Sequence, residues 1–172
     1  MEDVIKIASY ICQRYEYQFG TRIDEIKLQI LLYFTQRECM VETGQPLFSD
    51  SFVAMGKYPV VLSVSRTYKA NALGHEDSKC FHIKYPSVFD HVFKTYAGKD
   101  IIGLMTLMQS EYSWKKAKEV YSLTHEILIS DITKDAERIR NRRFLLKHLA
   151  DFRKQVYESK DVKPGGETVT IS

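Results

Sequence analysis

Apolar residues recur along most of this chain at three- and four-residue intervals, the period of a helix with one buried face. Val4, Ala8, Ile11 and Tyr15 form such a stripe and predict a first helix over about Glu2–Tyr17, ended by Gly20. Thr21 then offers a capping oxygen for a second helix, in which Ile23, Ile26, Ile30, Leu31 and Phe34 share a broad face widened by Leu28 and Leu32. A helix apolar over that much of its circumference belongs at the centre of its domain. Gly44 suits the left-handed residue that closes it, and Pro46 prevents continuation.

The period then lapses. Phe48–Met55 carries Phe, Val and Ser without helical spacing and reads as extended chain. Pro59 is expected in the first turn of the next helix, with Val60, Val61, Val64 and Tyr68 facing inward. Asn71–Tyr85 reads as loop or small hairpin. Pro86 opens a helix packed through Val88, Phe89, Val92, Phe93 and Tyr96 and closed by Gly98, and Asp100 caps the run that follows. A short amphipathic piece begins near Trp114. Ser130 or Asp131 is expected to cap a long last helix, with Ile132, Ala136, Ile139, Leu146, Leu149 and Val156 on its inner side. The fold class is therefore mainly α: one compact domain of about six to seven helices, with a short extended segment or hairpin near 47–56 and a long basic C-terminal helix. The expected divisions are 1–137 for the helical domain, 138–162 for a basic extension and 163–172 for a flexible Gly- and Thr-rich tail.

With 172 residues, 44% of them apolar and 27% charged, the chain has the material for one well-buried core. No apolar run approaches the ~18 residues of a membrane span, and the acidic start MEDVIKIASYICQRYEY does not read as a signal peptide. Three cysteines, odd in number and widely spaced, argue for a reducing compartment, so a cytoplasmic location is expected. The net charge of +3 is unevenly placed. From Arg138 to Lys163 nine bases face three acids, whereas the rest of the chain holds sixteen bases and nineteen acids. Arg138, Arg140, Arg142, Arg143 and Lys147 are thus candidates for nucleic-acid contact. The plainer reading is a solvated helix with its bases toward water, since no base-reading motif accompanies them.

Catalytic and metal chemistry find little support. His75, Cys80 and His82, with His91 as a fourth, are the only grouping worth testing as a zinc site. Zinc sites are usually built from paired ligands at short spacing, and here only Cys80 and His82 are close, so no metal and no cofactor is expected. Cys12 and Cys39 fall within amphipathic helices, where a thiol packs as a small apolar group. No phosphate loop, nucleophile elbow or H-E-x-x-H is present. A non-enzymatic protein is expected. Among surface candidates, Trp114 is the only tryptophan; its Ser113, Lys115 and Lys116 neighbours suggest a half-exposed ring able to anchor a partner, with Lys115 beside it.

Five stretches in order resemble the Panacea domain of SocA-like antitoxins. They are Ile26-Lys27-Leu28-Gln29-Ile30-Leu31-Leu32-Tyr33-Phe34, Gly44-Gln45-Pro46-Leu47-Phe48, Pro59-Val60-Val61, the segment from Ser110 to Ala117 around Trp114, and Ile129-Ser130-Asp131-Ile132. The likeness extends over roughly residues 4–137. It departs from the family pattern at Ala54-Met55, where Ala-Trp is usual, at Tyr58 in place of a glycine, and at Ser113 in place of a proline. The resemblance implies a helical module that neutralises a cognate toxin by direct binding, in one known case delivering it to a cytosolic protease, and often carried by phages or mobile elements. Tyr58, Trp114 and Lys115 are the partner-binding residues expected on this view. A nucleic-acid-binding regulator acting through the basic helix is the alternative.

Overall fold

The second helix, α2 (Glu25–Thr43), is buried on every side from Leu28 to Val41, and the rest of the fold is built around it. The computed structural model describes residues 1–74, 84–120 and 123–160. Before α2 runs α1 (Val4–Phe19), whose Val4, Ala8, Ile11 and Tyr15 are buried as their spacing predicts. The start of α2 is set by Asp24, not Thr21: the Asp24 carboxylate accepts from the backbone N–H groups of Ile26 at 2.8 Å and Lys27 at 3.4 Å. Ile23 is fully buried, so the extended residue that precedes the helix comes after Thr21, and Thr21 is left exposed. Gly44 closes α2 at φ 75°, the left-handed region that costs glycine little.

The extended segment is one arm of a hairpin. Strand β1 (Phe52–Met55) pairs antiparallel with β2 (Tyr58–Val60) across a two-residue turn at Gly56-Lys57, with Gly56 at φ 59°. Pro59 therefore sits in a strand, opposite Ala54, and not in the first helical turn. Such a placement is permitted because β2 is an edge strand, where a missing N–H breaks no further ladder. The helix begins later, as α3 (Leu62–Lys69). A two-residue strand, β3 (Glu126–Ile127), pairs on the other side of β1 with Phe52 opposite Ile127, giving the order β2-β1-β3.

Helix α4 (Pro86–Val92) opens on its proline and runs into a π turn at Phe93–Ala97. Then come α5 (Ile101–Gln109), capped by Asp100 on Gly103 N–H at 2.8 Å, and α6 (Tyr112–Glu119). The last helix, α7 (Ile129–Lys160), has 32 residues and starts before both residues expected to cap it. Leu128 O already accepts from the N–H groups of Asp131 and Ile132, which places Asp131 inside the first turn. Among the described residues the fold is thus seven α-helices and one small sheet.

Helix α7 departs most from its expected packing. Ile132 and Ala136 are buried and Ile139 and Val156 are half-buried, but the expected inner row is broken between them. Leu146 and Leu149 are each 56% exposed, because the helix outruns the body it packs on. The expected tail 163–172 lies outside the described residues.

Candidate functional site

Two of the expected surface residues occupy other settings. Trp114 is buried, with 6% of its surface exposed. On α6 the residues Ser113, Trp114 and Ala117 form the inward face, which leaves Lys115 to water and brings Lys118 Nζ to 5.7 Å from the indole centroid. Only Lys115 of these lysines faces water, while Lys116 reaches the buried Asp131 at 3.1 Å, and the half-exposed ring expected from them is a core ring. Tyr58 is half-buried in the edge strand, beside a shallow groove that also includes Met55, Leu62 and Arg66.

The basic helix divides into bases that hold the fold and bases that face water. Arg143 makes a forked pair with Glu38, at 2.6 and 3.0 Å, and Glu38 is fully buried. Its Nη2 also lies 3.0 Å from Nε2 of His91, which must accept there. Burial lowers the pKa of His91, with Arg143 adding to the shift and Glu38 opposing it, so the imidazole is neutral and suited to that role. Arg140 donates to the carbonyls of Met40 and Val41, satisfying acceptors at the C-terminal end of α2. Arg138 reaches Asp135 at 3.2 Å and Glu111 at 3.4 Å. Arg142 and Lys147 are exposed. Three of the five proposed nucleic-acid contacts therefore pin α7 to the body.

Where α7 leaves the body, a cleft of about 630 Å³ is lined by Arg37, Tyr96, Glu111, Arg138, Arg142 and Arg143. Arg37, on α2, is buried and paired with Glu111, and its Nη2 donates to Tyr96 Oη at 2.7 Å. Burial pushes the Glu111 carboxyl up to about 7, with Asp135 adding to the rise and the Arg37 guanidinium opposing it. Asp135, also buried, accepts from the N–H groups of Tyr112 at 2.9 Å and Ser113 at 2.8 Å, so it caps α6 from the side of α7. This network was not anticipated. Its one trace in the sequence is the polar run Thr35-Gln36-Arg37-Glu38 inside a largely apolar helix, because charges in such a place require partners.

Beyond Arg143 the character of α7 changes. Phe144, Leu145, Leu146, Leu149, Phe152 and Tyr157 are each between 56% and 71% exposed. At ~100° per residue the row Leu145, Leu149, Phe152 points about 150° away from the row Ile132, Ala136, Ile139 that packs on the body. Bending the helix inward would not bury it. Among the described residues no three His, Cys, Asp or Glu side chains group to hold a metal ion; His91 is engaged as above, and His75, Cys80 and His82 lie outside the described residues.

These features define a mainly helical module pinned by buried ion pairs and carrying a projecting apolar helix. A family model described as the antitoxin SocA-like Panacea domain matches residues 28–128, from within α2 to the residue before α7. The chain belongs to that family. No curated protein and no solved structure matches it.

Proposed function

We propose that this chain is an antitoxin that neutralises a cognate toxin by binding it directly, without catalysis. The observation that carries the reading is the family match over 28–128, a range that takes in most of α2, the hairpin and helices α3 to α6. A body of this kind acts by covering a surface of its partner, and a stable cover of that sort buries ~1,600 Å² in total. Delivery of the bound toxin to a cytosolic protease, a cytoplasmic site of action and carriage by a phage or mobile element complete the proposal. Among the described residues no helix is long and apolar enough to cross a membrane. The nucleic-acid alternative is less favoured, because Arg138, Arg140 and Arg143 are engaged with Asp135, the end of α2 and Glu38.

The test is genetic and then physical. The open reading frame beside this gene is induced in a bacterial host, alone and together with this chain. Growth arrest by the neighbour alone, relieved by co-expression and accompanied by a complex on gel filtration, is the expected result. Arrest that persists despite abundant soluble chain would end the antitoxin reading.

A further inference from the structure

Beyond Arg143, α7 carries an apolar face that the body leaves bare. At ~100° per residue, Leu145, Leu146, Leu149, Phe152 and Tyr157 share an arc of roughly 140°, with Phe144 on the other side of the helix. The other side is polar, with Lys147, His148, Asp151, Lys154, Gln155 and Glu158, of which Lys154 and Glu158 approach to 4.0 Å.

The charges select among the ways of enclosing it. Arg142 and Arg153 lie inside the apolar arc, flanking Leu146 and Leu149 along the helix, and no acid shares that arc. The acids of this stretch, Asp151 and Glu158, are both on the polar strip at the back. A second copy laid against the arc, in either direction, would meet these two guanidiniums with apolar or basic side chains and supply no carboxylate. The complement they require is acidic. We infer that residues 144–157 of α7 dock into an apolar groove of a partner protein that carries carboxylates facing Arg142 and Arg153. This inference rests on the antitoxin reading for the identity of the partner, the toxin. It places the contact outside the range matched by the family model, on an element that the shared domain only holds in position.

The mode is a helix laid in a groove, with anchors read along successive turns. Because Arg138 on Glu111, Arg140 on the end of α2 and Arg143 on Glu38 fix the root of the helix, the anchors are presented already ordered, and less freedom is lost on docking.

The experiment uses the full chain and the product of the adjacent open reading frame, purified as an inactive variant. Affinity is measured by calorimetry for the unaltered chain, for Leu149→Asp with Phe152→Asp, and for Lys147→Glu with Lys154→Glu. All four positions are exposed, so circular dichroism and melting temperature should be unchanged. The apolar-face pair should weaken binding by about thirtyfold or more, as loss of a central anchor does, and the polar-strip pair by no more than about threefold. Tight binding that is indifferent to the apolar-face pair keeps the antitoxin reading and overturns this inference. Failure of the unaltered chain to bind removes the partner and overturns both. Sedimentation of the chain alone as a dimer that Leu149→Asp dissociates would overturn the assignment to a foreign groove in favour of a second copy.

Discussion

The side chain of Gln36 and the backbone of Phe48 bond as two strands would: the amide Oε1 accepts from Phe48 N–H at 3.2 Å, and Nε2 donates to Phe48 O at 2.8 Å. Oε1 also takes the N–H of Leu47 at 2.8 Å. Two turns earlier on α2, Gln29 does the same to Val61, at 2.9 and 3.3 Å. A helix cannot extend a sheet, but an amide side chain reproduces the peptide group, so two glutamines bind extended chain to the flank of α2.

Gln36→Leu is therefore expected to cost about 2–4 kcal/mol, because it leaves two buried N–H groups and a carbonyl without partners while preserving volume. Urea denaturation would measure this. A midpoint shifted by less than the equivalent of 1 kcal/mol would show that water replaces the amide.

Trp114→Ala is expected to act on stability rather than on recognition, since the ring is buried. Its loss should cost about 3–5 kcal/mol, in the range of large-to-small aromatic substitutions in a core. Thermal unfolding is the measurement, and an unchanged melting temperature would return the tryptophan to the surface.

The two classes of base on α7 should separate cleanly. Arg143→Gln leaves the buried Glu38 carboxylate short of its forked partner and should cost about 2–3 kcal/mol, whereas Lys147→Gln should stay within about 0.5 kcal/mol. Chemical denaturation of both variants decides it. Equal effects would mean that the Glu38 pair contributes nothing.

Glu111 gives a pH dependence of unusual sign. Its carboxyl titrates near 4.5 when unfolded and about 7 when folded, so between those values the folded chain binds more protons. Stability from this group is full below about 4.5, falls by up to about 1.4 kcal/mol for each pH unit between, and is lost above about 7. Glu111→Gln removes that slope even though it weakens the pair with Arg37. Urea midpoints at pH 5, 6, 7 and 8 would reveal it, and parallel curves for the two proteins would place the carboxyl in its ordinary range.

The motifs that carried the family resemblance are the pieces that the glutamines join. Gln29 lies in Ile26–Phe34 and bonds Val61 of Pro59-Val60-Val61, while Gln36 bonds Leu47 and Phe48 of the Gly44–Phe48 stretch. Helical periodicity exposed α1 and α4 because one face of each is buried along its length, and α2 because its apolar residues cover most of its circumference. It misjudged α7, because a row of leucines looks the same whether the body covers it or leaves it bare. It misplaced Trp114 for the converse reason: of its flanking lysines Lys115 faces water from another side of a short helix, and Lys116 folds onto buried Asp131. The network of Arg37, Glu111, Arg138 and Asp135 joins residues far apart in sequence, and no local spacing could reveal it.

Helix α7 assigns its two ends to different duties, and that affects how sequences of this kind can diverge. Changes at Ile132, Ala136, Arg140 or Arg143 disturb the packing or pairing of the body and need compensation there. Changes at Leu145, Leu149 or Phe152 touch side chains that are more than half exposed and leave the fold indifferent. The outer turns are thus free to drift quickly, and relatives should keep the root of this helix while rewriting its tip.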